Sequence, residues 1–226
     1  ELSSDYLWTW YDNVSPGAYD WVLVANPNAY DIYYEITVKG TIPTQMIEGT
    51  PTGVIHPGQN ATPRIANVSN GPVEVKTWTD SGKGTTANSI ASQRTIWGPS
   101  FEEVPGYPRS ALTNDYHWTW YDQLDGGTYD WVHIINTDSV SVNYRLTVGG
   151  ALPTPVVEGS ATGTIAPGEL VHPRFLKRGG PVEVKACKLS FNPDGSCSDV
   201  TPATVMTSQR VLWHGYFNEV LGTDLG

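Results

Sequence analysis

The sequence predicts an all-β protein in which two tandem β-sandwich domains, Ig-like or jelly-roll-like, follow one another along the chain. Three observations lead to this prediction. Apolar and polar residues alternate over many short segments, residues typical of tight turns separate these segments, and much of the first half of the chain recurs in the second. Short alternating segments between turns are typical of antiparallel strands. About seven or eight such strands in roughly 100 residues are typical of a sandwich.

The alternation is clearest in the segment DIYYEITVKG, residues 31–40. Ile32, Tyr34, Ile36 and Val38 fall on one face of an extended chain, and the residues between them fall on the other. The segment SVNYRLTVGG at 141–150 repeats this pattern, and GPVEVK alternates in the same way at 71–76 and at 180–185. These segments are therefore predicted to be antiparallel strands with one buried face.

Many motifs of the first half recur in the second half in the same order. They include DYLWTWYD at 5–12 and DYHWTWYD at 115–122, YDWV at 19–22 and 129–132, EGTPTGVIHPG at 48–58 and EGSATGTIAPG at 158–168, and SQRTIW at 92–97 and SQRVLW at 208–213. Such self-similarity indicates an internal duplication. It predicts one domain at 1–108 and a second at 109–226, with YPRSALTN, at about 107–114, as a short linker.

The motif DYLWTWYD is dense in aromatic residues. In an extended strand, Trp8 and Trp10 would share one face and Tyr11 would lie on the other. Two interpretations are open for the rings that occur in both halves. They fill a core that each domain needs, or they form a partly exposed platform on which sugar rings stack. Trp21 and Trp131 begin apolar strands and are assigned to the core.

The charge of the chain limits its partners. Lys and Arg number 13 and Asp and Glu number 23, which gives a formal net charge of −10. Binding a phosphate backbone requires clustered basic residues, so nucleic acid is not expected as a partner. No apolar run approaches the roughly 20 residues of a membrane helix, so membrane insertion is not expected either.

The two cysteines, Cys187 and Cys197, flank the turn sequence NPDG. Asn, Pro, Asp and Gly in this order favour a tight turn between two extended segments, which would bring the two sulfur atoms together. A disulfide is therefore predicted, with two free thiols as the alternative. Disulfides persist in oxidising compartments, so the predicted location is extracellular or at the cell surface.

Arg94 and Arg210 stand at corresponding positions of the two halves, within the strand-like segments SQRTIW and SQRVLW. A buried guanidinium needs a carboxylate partner. We therefore predict structural ion pairs, whose candidate carboxylates are Asp12 or Glu103 in the first half and Asp122 or Glu219 in the second.

The sequence shows little sign of catalytic or metal chemistry. Each of the five histidines aligns with a different residue type in the other half, and no His or Cys cluster has zinc-ligand spacing. No catalytic residue and no cofactor is predicted. A weak calcium site is conceivable at Asp122, Asp125 and Asp130, whose carboxylates lie in and beside a Gly-rich segment, but a turn-capping role is preferred.

Three Asn residues occupy N-x-S/T sequons, namely Asn13, Asn60 and Asn67. Glycosylation at these positions would occur only in a compartment that contains the glycosylation machinery.

Taken together, the motifs W-x-W-Y-D, D-W-V, I-x-P-G, G-P-V-E-V and S-Q-R-V-L-W with F-N-E-V-L-G resemble a β-rich module of about 100 residues. That module is found, often in tandem, in secreted and cell-envelope proteins of bacteria. The resemblance covers nearly the whole chain. It implies an extracellular, non-enzymatic structural or binding role and supplies no catalytic residues.

Three functions remain open on this basis. The leading hypothesis is a structural or adhesive surface protein that contacts itself or other cell-envelope proteins and assembles into a polymer, filament or surface layer. The alternative is a carbohydrate-binding module that holds surface glycans on exposed aromatic residues. The third is a glycan-active enzyme with a carboxylate pair in one half only.

Aromatic residues without a counterpart in the other half are freer to serve a partner than to maintain a shared fold. Exposed aromatics are also typical interface anchors. The candidate interface residues are Tyr30, Tyr33, Trp78, Phe175, Phe191 and Tyr216.

Overall fold

A computed structural model describes residues 2–198 and 201–224. The chain divides into two compact units, Glu1–Ala111 and Leu112–Gly226. The described residues form strands, turns and one short 3₁₀ helix, Arg109–Ala111, but no α-helix. The prediction of an all-β chain is therefore confirmed.

The described part of the first unit contains thirteen strands. They are β1 (Asp5–Trp8), β2 (Tyr11–Asp12), β3 (Ala18–Ala25), β4 (Ile32–Val38), β5 (Met46–Glu48), β6 (Thr52–Ile55), β7 (Asn60–Ala61), β8 (Arg64–Ile65), β9 (Ser69–Asn70), β10 (Val73–Trp78), β11 (Ile90–Trp97), β12 (Ser100–Pro105) and β13 (Tyr107–Pro108). Two larger antiparallel sheets have the strand orders β13-β1-β10-β4-β6 and β12-β11-β3-β7, here called the β1 sheet and the β3 sheet. Strands β2 and β9, and strands β5 and β8, pair as short ribbons.

The second unit repeats most of this arrangement. Its strands are β14 (Asp115–Trp118), β15 (Tyr121–Asp122), β16 (Thr128–Asn136), β17 (Val142–Val148), β18 (Val156–Glu158), β19 (Thr162–Ile165), β20 (Leu170–Val171), β21 (Arg174–Phe175), β22 (Arg178–Gly179), β23 (Val182–Cys187), β24 (Val205–Trp213) and β25 (Tyr216–Leu221). The larger sheets have the orders β14-β23-β17-β19 and β20-β16-β24-β25, the β14 sheet and the β16 sheet. Strands β15 and β22, and strands β18 and β21, form ribbons.

This distribution of strands corrects the prediction of two tandem Ig-like or jelly-roll-like sandwiches. The described strands are divided among eight small antiparallel sheets. The four larger sheets have four or five strands each, which is the size of propeller blades. Period-two alternation identifies strands and their buried faces, but it does not specify which strands pair. The number of sheets therefore could not be read from it.

The alternation itself is confirmed in the structure. Along β4, Ile32, Tyr34, Ile36 and Val38 are buried and the residues between them are half-buried. Strand β10 lies between β4 and β1 in the β1 sheet, which places the GPVEVK segment at the centre of the sheet.

The aromatic motifs at 5–12 and 115–122 belong mainly to the core. Tyr6, Trp8 and Tyr11 are almost fully buried, and each ring donates a hydrogen bond to a backbone carbonyl. The indole Nε1 of Trp8 lies 3.1 Å from the carbonyl oxygen of Val104, and Trp118 makes the corresponding 3.2 Å bond to Val220. The polar end of each indole is thus satisfied inside the unit, as a buried Trp requires.

Trp10 and Trp120 do not share the environment of Trp8 and Trp118. In each unit the strand ends at the first of the two Trp residues, Trp8 or Trp118. Trp120 is 54% exposed. A close backbone approach accompanies this break: a Cβ atom on Gly71 would lie 1.9 Å from the carbonyl oxygen of Thr9. The predicted common face of Trp8 and Trp10 is therefore wrong, because the strand is interrupted between them.

The disulfide is present. Cys187 is the last residue of β23 and bonds to Cys197, with the two Cα atoms 5.4 Å apart. The NPDG segment turns between them, since the amide of Gly195 donates to the carbonyl of Asn192 and the amide of Asn192 donates to the carbonyl of Ser196. The turn sequence brings the sulfur atoms together as predicted.

The predicted linker belongs in part to the first unit. Tyr107 and Pro108 form β13, which pairs with Leu7 and Tyr6 of β1. The side chain of Arg109 forms ion pairs with Asp5, at 2.8 Å, and with Glu74. The first unit therefore continues to Ala111 rather than ending at residue 108.

A buried carboxylate joins three segments in each unit. In the first unit, Oδ2 of Asp20 accepts hydrogen bonds from the amide of Asp12, at 2.7 Å, and from Nε2 of Gln93, at 2.8 Å. In the second unit, Asp130 accepts from the amide of Asp122, at 2.9 Å, and from Gln209, at 2.8 Å. Burial raises the pKa of Asp130 to about 7, against the opposing effect of these donors.

Replacing Asp20 by Ala is expected to lower the free energy of unfolding by about 2 kcal/mol or more. The change leaves the Asp12 amide and the Gln93 amide group buried without this acceptor, and each such loss costs about 1–3 kcal/mol. Urea unfolding measures the effect. The matched control is Asp31→Ala, an exposed aspartate, for which a change within about 0.5 kcal/mol is expected. Equal effects of the two substitutions would contradict the assigned role.

Candidate functional site

An aromatic cluster lies on the solvent face of the β3 sheet. Tyr19 and Trp21 are alternate residues of β3 and project from the same face. Tyr19 is 44% exposed and Trp21 is half-buried. The guanidinium of Arg64 lies over both rings, 4.9 Å from the centroid of Tyr19 and 4.7 Å from that of Trp21. Oε2 of Glu48 lies 3.4 Å from the indole nitrogen of Trp21. We call Tyr19, Trp21, Glu48 and Arg64 the first aromatic cluster.

The second unit has the same arrangement on its β16 sheet. The guanidinium of Arg174 lies 5.4 Å from the ring centroid of Tyr129 and 5.2 Å from that of Trp131. The two rings are stacked, with centroids 5.6 Å apart and planes inclined by 14°. Glu158 pairs with Arg174 at 3.7 Å. We call Tyr129, Trp131, Glu158 and Arg174 the second aromatic cluster.

Each cluster combines ring faces with a guanidinium and a carboxylate of opposite charge. Cation–π contacts of this kind hold the Arg side chain flat on the rings, so its outer N–H groups have a defined direction. The arrangement thus offers an apolar platform with fixed hydrogen-bonding groups at its edge. A mixture of ring surface and a few placed polar groups is typical of a ligand site.

The assignment of Trp21 and Trp131 to the core is corrected by these contacts. Asp20, Val22 and Val24 of β3 are buried, which places Trp21 on the opposite, solvent-directed face. The YDWV motif could have indicated this, because neighbouring residues such as Trp21 and Val22 lie on opposite faces of an extended strand. The sequence could not show that Arg64 and Arg174 lie over these rings, since the two arginines come from separate short strands, β8 and β21.

The predicted ion pairs form with the glutamates. Arg94 pairs with Glu103 at 2.8 Å, and Arg210 pairs with Glu219 at 3.0 Å. A serine hydroxyl donates to each glutamate, from Ser92 and from Ser208. The hydrogen bond from Arg94, together with that from Ser92, lowers the pKa of Glu103.

The predicted partners Asp12 and Asp122 have other roles. Oδ1 of Asp12 accepts hydrogen bonds from the amides of Val14 and Ser15 and so caps a turn. Asp122 caps the corresponding turn and pairs with Arg178 at 2.7 Å. These aspartates are therefore turn caps rather than partners of Arg94 and Arg210.

The two Arg–Glu pairs differ in exposure, and this difference predicts different mutational effects. The side chains of Arg94 and Glu103 are 40% and 41% exposed, whereas those of Arg210 and Glu219 are 5% and 3% exposed. Arg210→Met should lower the free energy of unfolding by about 3 kcal/mol or more, because the Glu219 carboxylate would stay buried without its countercharge. Arg94→Met should cost less than about 1 kcal/mol.

Urea unfolding of the two Met variants checks this prediction, and each variant serves as the control for the other. A loss of similar size in both would show that exposure does not decide the contribution of the pair.

Two of the six candidate interface aromatics are buried. Trp78 is only 9% exposed, because the chain folds back so that Thr86 bridges to it and Lys83 Nζ lies 5.0 Å from its ring centroid. Phe175 is fully buried and packs on Tyr121, with centroids 6.4 Å apart. The prediction that these two aromatics are exposed is therefore wrong.

The remaining candidates differ in exposure. Tyr30 is 49% exposed and Tyr216 is 57% exposed, whereas Tyr33 and Phe191 are half-buried.

The residues of the weak calcium site serve other contacts. Asp130 is buried and accepts from the Asp122 amide, and Asp125 accepts a 3.1 Å hydrogen bond from the indole of Trp213. Asp122 is occupied as a turn cap. These contacts agree with the turn-capping role of Asp122.

In the described ranges, one group has metal-ligand geometry, formed by Asp115, His117 and Glu183. Its potential ligand atoms lie within 4.8 Å of one another. However, Nζ of Lys185 lies 3.0 Å from Asp115 and 3.0 Å from Glu183. The ammonium group already supplies the positive charge that a metal ion would bring.

The three sequons differ in how free their amides are. The Nδ2 group of Asn13 donates to the hydroxyl of Tyr11 and to two backbone carbonyls, so it is engaged within the unit. Asn67 is exposed with a φ of 55°, and its amide contacts Gln45 at 2.8 Å. Asn60 is exposed on β7.

Two histidines distinguish the β16 sheet from the β3 sheet. His133 and His172 stand where the first unit has Leu23 and Thr62, and their ring centroids lie 6.0 Å apart. His172 also contacts Glu158 at 3.1 Å. Burial, reinforced by the charges of Arg210 and His172, holds the pKa of His133 well below its usual value.

The contribution of His133 to the stability of the second unit should therefore fall as the pH drops below about 6.5, the ordinary pKa of histidine, whereas Asp130, whose pKa is raised to about 7, contributes in the opposite direction. The unfolded chain takes up a proton at His133 and the folded chain does not, so protonation favours unfolding. Between pH 7 and pH 5 the loss from His133 is expected to be about 1–2 kcal/mol. His133→Leu, which restores the residue of the first unit, should remove that part of the decline.

Urea unfolding at pH 7, 6 and 5 provides the measurement, with His56→Leu, a change at an exposed histidine, as the control. An unchanged pH profile for His133→Leu would mean that His133 does not contribute to the pH dependence of stability.

No helix among the described residues is long and apolar enough to cross a membrane. Comparisons of the chain with protein-family models, with curated proteins and with solved structures found no match.

Proposed function

We propose that this chain is a non-enzymatic, extracellular attachment protein that binds surface carbohydrate through its two aromatic clusters. The principal support is that both units place a Tyr and a Trp under an Arg, beside a Glu, on the solvent side of corresponding sheets. This proposal takes up the alternative that the sequence left open, a carbohydrate-binding module, in preference to the self-assembling structural protein.

The chemistry of the clusters favours carbohydrate over other ligands. The C–H face of a sugar ring is apolar and packs on an aromatic ring, while its hydroxyl groups need donors and acceptors at the edge of that ring. In the first cluster, Arg64 and Glu48 supply both, and their charges cancel. The formal net charge of −10 disfavours strongly acidic polymers as ligands. Two clusters on one chain would also allow bivalent attachment to a polymer, which raises the apparent affinity.

One further observation supports the location, and a second argues against a catalytic role for Glu103 and Glu219. The Cys187–Cys197 disulfide is compatible with an oxidising, extracellular compartment, and the resemblance to cell-envelope modules points the same way. The Glu103 and Glu219 carboxylates are each engaged with an Arg and a Ser rather than facing another carboxylate across a cleft. A glycosidase would need such an opposed pair.

Homotypic assembly, or attachment to other cell-envelope proteins, is the rival role. The burial of Trp78 and Phe175 removes two of the anchors on which it depended. Tyr30 and Tyr216 remain exposed and could serve a protein partner.

The double variant Tyr19→Ala/Tyr129→Ala is expected to lose retention on insoluble polysaccharide by roughly tenfold or more. Each substitution removes an exposed stacking ring whose contribution is about 0.5–1.5 kcal/mol. Pull-down on cellulose, chitin, mannan and peptidoglycan particles measures retention. The matched control is Tyr30→Ala/Tyr216→Ala, which removes two exposed rings outside the clusters and should leave retention unchanged.

Sedimentation velocity of the same proteins tests the rival role. If the wild type is not retained by any of these polysaccharides and forms large assemblies that the Tyr30/Tyr216 variant does not, the carbohydrate proposal is wrong and homotypic assembly replaces it.

A further inference from the structure

An open cavity of about 330 Å³ lies on the solvent face of the β3 sheet, beside the first aromatic cluster. Its lining residues come from three neighbouring strands and from the segment that follows β7; they are Trp21, Leu23, Thr62, Arg94, Ile96 and Phe101. Strand pairing fixes this arrangement, since Arg94 lies between Trp21 on one side and Glu103 on the other, and Ile96 lies beside Phe101. The volume is at the small end of the range for ligand sites.

The walls of the cavity differ in chemistry in a way that matches a sugar ring. The Trp21 and Phe101 rings supply aromatic surface, and Leu23 and Ile96 are aliphatic. The guanidinium of Arg94 lies 5.2 Å from the Phe101 ring centroid and is held at 2.8 Å by Glu103. A guanidinium beside a carboxylate presents adjacent donors and acceptors, which suits neighbouring hydroxyl groups on a ring.

The charge at this site is balanced. Arg94 is paired with Glu103, and Arg64, above Trp21, has Glu48 at the same ring. No cation is left over for a carboxylate or sulfate group on the ligand. The electrostatics therefore favour a neutral sugar over a uronic acid or a sulfated sugar.

The corresponding positions of the second unit are more closed. His133 and His172 replace Leu23 and Thr62, so larger rings stand at two of the six lining positions. The side chains of Arg210 and Glu219 are 5% and 3% exposed, against 40% and 41% for Arg94 and Glu103. Phe217 is 7% exposed, whereas Phe101 is 61% exposed. The second unit thus keeps the platform of Tyr129 and Trp131, whereas the positions that correspond to the lining of the recess are less exposed.

We infer that the cavity of the first unit holds a single neutral pyranose ring of the glycan, and that the second unit contributes only surface stacking. This inference rests on the proposed carbohydrate function and assigns its strongest subsite. A short soluble oligosaccharide would then bind the first unit alone, while an insoluble polymer would engage both clusters.

Isothermal titration calorimetry of the full chain tests the inference. The probes are hexasaccharides of β-1,4-linked glucose, mannose and N-acetylglucosamine, with a galacturonate hexasaccharide as the charged counterpart. One neutral hexasaccharide should bind at one site per chain. Phe101→Ala should weaken that binding at least tenfold, and Tyr216→Ala, a change at an exposed ring outside both clusters, should change it less than twofold. Because Phe101 is largely exposed, its truncation should leave the fold intact.

A second variant, Leu23→His/Thr62→His, gives the first unit the side chains of the second and should also abolish binding; its fold is checked by thermal unfolding. If Phe101→Ala binds as well as the wild type, or if galacturonate is preferred, the subsite assignment is wrong. Retention on polysaccharide particles without any binding of neutral hexasaccharides would overturn this inference alone. Failure of the wild type in both assays would overturn the proposed function as well.

Discussion

The rest of each unit depends on the hydrogen bonds of one buried carboxyl group, that of Asp20 in the first unit and that of Asp130 in the second. It accepts one hydrogen bond from a backbone amide of the short strand at the end of the aromatic motif, β2 or β15. It accepts another from the Gln side chain of the neighbouring long strand, β11 or β24. A buried carboxyl group that is held away from water by these donors can occupy only one orientation at little cost. It therefore sets which residues of β3 and β16 face inwards. Tyr19 and Trp21 face solvent because Asp20, between them, does not.

The two units show how one framework can be given different surfaces. The Ser–Glu–Arg contact is present in both, yet it is open to water in the first unit and closed in the second. Replacing Leu23 and Thr62 by histidines changes the shape, the polarity and the pH response of the same sheet position. Framework contacts are held in common, whereas the residues beside the aromatic clusters have diverged. Such a division is expected when recognition depends on surface side chains placed by a rigid scaffold.

Much of the secondary structure was predictable because its signals are local. The alternation of residues 31–40 identified β4, and the NPDG turn identified the disulfide. The Arg–Glu pairs were predictable because the Arg and the Glu lie opposite each other on consecutive antiparallel strands, β11 and β12 or β24 and β25. The division into small sheets was not, because alternation does not encode pairing partners. The burial of Trp78 was missed because the turn that follows β10 folds back and places Lys83 over a residue whose own strand position suggested exposure.

The pairing of β13 with β1 has a practical consequence for dissecting the protein. A fragment that ends where the sequence motifs of the first half end, at Gly106, would lack an edge strand and both ion pairs of Arg109. The backbone of β1 would then present unpaired amides and carbonyls to solvent, which is a template for aggregation. An autonomous first unit therefore has to be cut after Ala111, so the folding unit is longer than the repeated motif that defines it in the sequence.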